Sequence, residues 1–355
     1  MITGDAPFPR PDRLLDGPAA WTGVGLADSD EWVYVWTREE IVELEEALIA
    51  VQHLRRPLDQ IGRTDFPLAR LAGRLEGVRA DLLRGRGFVL MRGLDASKYS
   101  REEIATIFWG IGAHLGRAVP QNAKGHLLGH VKDLGRDVND ASTRIYQTSE
   151  RQGYHTDSAD IVGLLCLERA MEGGRSSLAS CSTIHNVLFE NSPNLLEELF
   201  QPFCTDHRGE HRAGTNPYFT APILSWHENE LSVLYQRRYI ESAQRFGAVP
   251  PLTDRQVAAL DAFDSAADDP TIHLEMQLER GDIQFIHNHQ MLHDRTAFRD
   301  WPEPNRRRHL LRLWLCPQEG RALPAWFTER LGSVEPGHRG GVVLDGVEPV
   351  ISLVP

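Results

Sequence analysis

Beyond residue 120 the chain breaks into short apolar or alternating runs separated by turn signals, and no other feature restricts its fold as strongly. The runs lie at 126–131 (HLLGHV), 161–167 (IVGLLCL), 176–180 (SSLAS), 222–226 (PILSW), 231–235 (LSVLY), 272–278 (IHLEMQL), 283–287 (IQFIH) and 309–315 (HLLRLWL). Each is too short for an ordinary helix and long enough for a strand. The fourth and fifth flank His227-Glu228-Asn229-Glu230, which predicts a hairpin. Many short strands with turns between them predict a barrel or a sandwich. Two helices interrupt them, one from Thr183 to Leu199 with a break at Pro193, the other following the cap residue Thr253.

Upstream the texture is helical. Thr37 with Glu40 and Ser100 with Glu103 form capping boxes, each ahead of apolar residues at helical spacing. A further helix is expected over Leu68 to Leu83, and Phe88-Val89-Leu90-Met91 reads as a buried strand. The chain therefore divides into an irregular arm (1–36), a helical part (37–120), a strand-rich core (121–317) and a tail (318–355) without a readable motif. No linker composition or repeat separates them, so one domain over 1–355 is expected.

A net charge of -12 argues against nucleic acid and against an anionic membrane surface as partners. No apolar run approaches the roughly 18–20 residues that span a bilayer. The opening MITGDAPFPRPDRLLDG lacks the apolar stretch of a secretory signal. Cys166, Cys181, Cys204 and Cys316 are scattered without a CxxC pair, as in a reduced cytoplasmic protein. A small molecule is the expected partner, and the sequence leaves open whether the chain forms a homo-oligomer.

His155-Thr156-Asp157 is the first chemical signal. On an extended segment, residues i and i+2 project to one face, so His155 and Asp157 can reach one metal ion. Two histidines and a carboxylate hold iron(II) and leave three positions open. The second histidine is sought near the 283–287 strand. His293 sits just past its end, and His287 and His289 form a rival His-x-His chelate. Downstream, Arg308 and Arg312 suit a carboxylate. Arg312 lies within an apolar strand, where an unpaired guanidinium is costly.

Other readings compete. His207-Arg208-Gly209-Glu210-His211 matches the HxxEH of zinc peptidases, but Gly209 and the following Ala213-Gly214-Thr215-Asn216-Pro217 make it a loop, where the motif needs a helix. A zinc hydrolase at His207 and His211 is thus an alternative, as is a non-catalytic barrel that binds a carboxylate through Arg312. His185 reads as structural. Asn122 and Tyr154 are candidates for the wall of a substrate pocket.

The segments GYHTDSAD (153–160), Gly173-Gly174-Arg175-Ser176, GDIQFIHNHQMLHDRTAF (281–298) and RRRHLLRLWL (306–315) together resemble the taurine dioxygenase (TauD/TfdA) family over about residues 70–317. The resemblance implies a mostly β fold with flanking helices around a double-stranded β-helix (jelly-roll) core. It also implies an oxygenase that uses Fe(II), 2-oxoglutarate and O2. By match of motif, His155, Asp157 and His293 bind iron. Arg312 pairs with the far carboxylate of 2-oxoglutarate, and Arg308 lies near the metal-bound one. Ser176, where a threonine is more usual, touches the cosubstrate, and Ser177 can substitute for it. The spacing from His293 to the arginines is a few residues longer than in the taurine enzyme, and the insert falls in Trp301-Pro302-Glu303-Pro304-Asn305. The implied reaction hydroxylates an unactivated C–H of a small molecule and releases succinate and CO2. Asp157 fills the position that halogenating relatives leave to chloride, so halogenation is not expected, while desaturation and cyclisation stay open. The substrate is not readable.

Overall fold

The computed structural model describes residues 8–138, 140 and 143–355. The first seven residues of the expected arm lie outside them. The rest of that stretch is not wholly irregular, because it holds the helix Gly23–Ala27 and the strand Val33–Val35. That strand pairs in parallel with Phe88–Arg92 and extends the larger sheet by one edge.

Two sheets make the core. The larger runs Val33–Val35, Phe88–Arg92, Ile283–His287, Ile161–Glu168, His309–Cys316, Arg117–Ala118, and Leu128–Val131 also pairs with His309–Cys316. The smaller runs Leu274–Met276, Ser176–Ser180, Met291–Arg295, Gln152–His155. Their inner faces oppose each other, and Leu178, Met276 and Met291 of the smaller sheet meet Cys166, Ile286 and Leu310 of the larger one between the layers. This is the strand-rich core with flanking helices that the sequence implied.

Alternation decides what each face meets. Along His309–Cys316, Leu311, Leu313 and Leu315 point outward into the cluster formed with the helices Arg38–Leu54, Leu71–Arg84 and Arg101–Leu115. Arg308, Leu310, Arg312 and Trp314 therefore share the inner face. Leu292 and Ala179 turn outward to the helices Cys181–Asn191, Pro193–Leu199 and Asp254–Ala267. The capping boxes at Thr37, Ser100 and Thr253 all form, each with reciprocal side-chain bonds. The expected break at Pro193 separates two helices, and the hairpin is present as Leu224–His227 paired with Glu230–Val233. Glu228 and Asn229 take positive φ there, as a two-residue turn requires.

Helix and sheet approach closely at Gly163, where an added Cβ would stand 2.6 Å from Phe285 Cε1 and 3.2 Å from Phe108 Cζ. Gly163→Val is expected to lower unfolding stability by roughly 1–3 kcal/mol through overpacking. Chemical denaturation checks this, and an unchanged midpoint would show that the helix layer yields at no cost.

Candidate metal and cosubstrate site

The smaller sheet brings two distant histidines face to face. His293 stands opposite His155 across an antiparallel ladder, and both side chains occupy the inner face. Their ring centroids are 4.1 Å apart. His293 thus sits in the middle of the strand Met291–Arg295, not past the end of the preceding strand as expected. Asp157 follows two residues after the end of its own strand, and one ligand atom from each of His155, Asp157 and His293 lies within 4.8 Å of the others. Among the described residues no other group of three such side chains converges.

The surroundings prepare all three as ligands. His155 Nδ1–H donates to the Gly153 carbonyl at 2.9 Å, which makes Nε2 the lone-pair nitrogen; Gln152 Nε2 donates to it at 2.8 Å, a contact that a bound metal would replace. Burial pushes the His293 imidazole down to about 3 and His155 below its usual range, so both are neutral donors near pH 7. Burial also raises the Asp157 carboxyl. The Arg312 guanidinium and the two imidazoles more than offset this, and Asp157 stays below the usual carboxylate range. Its Oδ2 accepts from Trp314 Nε1 at 2.8 Å and from Arg312 Nη1 at 3.1 Å. Oδ1 remains for a metal. This donor set of two neutral imidazoles and one anionic oxygen fits iron(II).

Behind the ligands a second polar layer fixes the loop 157–160. Asn288 Oδ1 accepts from the Asp157 N–H at 2.8 Å, and its Nδ2 donates to the carbonyls of Asp157 and Ala159. Asp160 is buried and takes the Arg339 fork, with Nε 2.9 Å from Oδ1. The Gly341 N–H donates to the Ser158 carbonyl at 2.6 Å. The tail that carried no motif therefore braces the loop of the candidate metal site.

The rival His287/His289 chelate does not form. His287 accepts from Gln290 Nε2 at 2.7 Å, and His289 faces Asp160 at 3.3 Å, on the far side of the Asp157 loop. His207 and His211 lie in a loop with ring centroids 5.9 Å apart, without the third donor that a zinc site needs among the described residues. The four cysteines are free.

A narrow cavity leads inward from the histidines, lined by Ser176, Arg308, Leu310 and Arg312. Ser176 Oγ donates to Gln284 Oε1 at 3.1 Å on this inner face. Ser177 points the other way and bonds the Tyr154 hydroxyl at 2.6 Å, so it cannot replace Ser176. The two arginines stand in the reverse of the expected order. Arg312 is beside Asp157 and is held by Gln121 Oε1 at 2.7 Å. Arg308 is four residues back along the strand, roughly 13 Å by strand rise, against Gly174 and the Phe298 ring. Arg308 is buried, its Nη1 meets no acceptor among the described residues, and burial pushes its guanidinium down to about 10. A buried fork without a partner is a place for an anion.

A larger cavity of about 330 Å3 opens on the other side of Asp157, with Gln121, Tyr146, Gln152, Arg312 and Trp314 in its wall. Neither expected wall residue is there. Tyr154 points outward into the helix-facing cluster, and Asn122 Oδ1 closes a turn by accepting from the Lys124 N–H at 2.9 Å. Strand parity could have excluded Tyr154, since it neighbours the inward-facing His155. Trp314 was legible by the same rule, two residues beyond Arg312.

Residues 54–314 match the model of the family described as taurine catabolism dioxygenase TauD, TfdA family. FR-33289 synthase of Streptomyces rubellomurinus is 32% identical over 92% of this chain and 98% of its own. A taurine hydroxylase-like protein of Stachybotrys chartarum is 29% identical over 84% and 79%. Among solved structures, asparagine oxygenase in complex with Fe(II), hydroxyasparagine and succinate superimposes with a TM-score of 0.62 at 18% identity, over 80% of this chain and 93% of that one.

Arg339→Met should destabilise the protein by roughly 3–5 kcal/mol, because it strands the buried Asp160 charge. Asp160→Asn together with Arg339→Met should recover much of that loss. Strict additivity in the double-variant cycle would show that the pair is not coupled.

Proposed function

The chain belongs to the taurine catabolism dioxygenase TauD, TfdA family, and on that premise we propose that His155, Asp157 and His293 hold its iron and that Arg308, Arg312 and Ser176 hold its cosubstrate. The family makes it an Fe(II)- and 2-oxoglutarate-dependent oxygenase that hydroxylates a small molecule with release of succinate and CO2. The observation that carries the residue assignment is the convergence of two neutral imidazoles and one carboxylate oxygen on the inner face of the smaller sheet. Bound there, iron and 2-oxoglutarate supply the oxygen chemistry, and the protein orients the reactants and excludes water.

Each side chain has a separate task. Arg312 and Trp314 occupy Asp157 Oδ2, which directs Oδ1 toward the metal and keeps the carboxylate charged. Arg312, nearest the ligands, faces the metal-bound end of the cosubstrate. Arg308 receives the far carboxylate, and Ser176 contributes a hydroxyl along the same narrow cavity. This reverses the roles the motif match gave to the two arginines, and it is supported by the 3.1 Å contact between Arg312 and Asp157. The substrate enters the larger cavity. No helix among the described residues is long and apolar enough to cross a membrane. Residence in the cytoplasm and action as one oxygenase domain belong to the same proposal, the former supported by four free cysteines.

His155→Ala and Asp157→Ala are each expected to abolish substrate-linked succinate formation and the visible charge-transfer band of the anaerobic iron–2-oxoglutarate complex. Wild-type turnover in both variants would refute the ligand assignment. Arg308→Ala should weaken 2-oxoglutarate binding roughly 10- to 100-fold and leave iron affinity unchanged, whereas Arg312→Ala should weaken iron binding as well. Separate titrations with iron(II) and with 2-oxoglutarate read this, and the opposite pattern would restore the order given by the motif.

A further inference from the structure

The two ends of the larger cavity differ in charge. Asp157, Thr156 and Ser158 stand at the metal end. At the other end Arg144, Arg208, Arg238 and Arg330 come from separate segments, and among the described residues that line the cavity Asp140 and Glu210 are the acids beside them. Four guanidiniums less two carboxylates leave a formal charge of +2 at that end, in a chain whose total is -12. Local charge of this sign inside an acidic protein focuses an anionic ligand into the cleft.

Arg144 and Arg208 are held in place by their neighbours, whereas Arg238 is exposed. Arg144 Nη2 donates to the Arg208 carbonyl at 2.8 Å and pairs with Glu210 at 3.1 Å, and both partners of that ion pair are mostly buried. This contact ties the segment before Ile145 to the loop after the Pro202–Asp206 strand. The Arg208 guanidinium lies 5.5 Å over the Tyr239 ring, and that of Arg330 lies 5.9 Å from the Phe219 ring. Arg238 and Arg330 have no ion pair or hydrogen bond among the described residues. Their forks are thus available, and they approach from the helix Arg237–Ala243 and the turn of helix Thr328–Leu331.

We propose that this end of the cavity is a cradle for a tetrahedral dianion, a phosphonate or phosphate-monoester group on the substrate, held by Arg238 and Arg330 with Arg144 and Arg208 behind them. The inference rests on the oxygenase reading above and names its substrate class. Two features favour a tetrahedral dianion over a carboxylate. The surplus of two positive charges matches two negative ones. Guanidiniums that come from different directions need acceptors on several faces, which three phosphoryl oxygens provide and a planar carboxylate does not. Anchored there, the substrate presents its opposite end to the metal, so the anionic group selects which molecule enters and the length of its chain selects which C–H reacts.

The test uses the full chain, anaerobic, with iron(II) and 2-oxoglutarate, in mildly alkaline buffer. Methylphosphonate, methanesulfonate and acetate are titrated by calorimetry into wild type, Arg238→Gln and Arg330→Gln. Methylphosphonate is expected to bind the most tightly of the three and to weaken at least about tenfold in each variant, with affinity falling as salt rises. Equal binding of the three probes, or unchanged methylphosphonate binding in both variants, would overturn the cradle. The visible band of the iron–2-oxoglutarate complex separates the two readings. If the band forms and methylphosphonate does not bind, the oxygenase stands and the cradle falls. If the band does not form, the oxygenase reading falls, and methylphosphonate titration of the metal-free protein decides the cradle alone. Succinate release with alkylphosphonates and with alkyl phosphates then distinguishes the two sources of the group.

Discussion

One carboxylate, that of Asp157, sets the terms for the rest of this structure. It is largely withdrawn from water at the edge of a cavity, where a charge is tolerated only if other groups replace its lost hydration. Arg312 and Trp314 satisfy one oxygen, Asn288 holds the backbone on either side, and the His155 and His293 imidazoles each come within 3.9 Å of the carboxylate. These partners come from distant parts of the chain. They meet only because the two sheets close around a common interior. The barrel can therefore be understood as the scaffold that keeps this charge in place.

Register does the remaining work. A strand alternates its faces, so a single residue of slip in His309–Cys316 would exchange Arg312 and Trp314 for Leu311 and Leu313. The outer leucines are locked against three helices. The apolar core thus enforces the position of polar groups it does not touch. The same holds in the smaller sheet, where Leu292 and Ala179 anchor the outer face while His293 and His155 oppose each other on the inner one.

What could be read beforehand follows from locality. The capping boxes, the hairpin and the His155–Asp157 chelate each lie within a few residues, and spacing alone encodes them. The inward face shared by Arg308 and Arg312 was legible for the same reason. The strand around His293 was missed because Met291–Arg295 carries histidine, aspartate and arginine in a wholly buried segment, which no apolar pattern announces. The order of the two arginines along the cavity depends on where Asp157 arrives, and that is tertiary. Asn288 and Arg339 were invisible for a deeper reason. Their partners are 131 and 179 residues away, and neither stands in a local pattern that marks a long-range contact. Tyr154 and Ser177 were misjudged by proximity in sequence, where strand parity would have separated both from the interior.

The brace from Arg339 to Asp160 bears on how the site is assembled. His155, Asp157 and His293 all precede Arg339 in the chain. Until Arg339 docks, the loop that bears Asp157 holds a buried acid without its guanidinium partner. Order at the candidate ligands thus waits on a segment that supplies none of them.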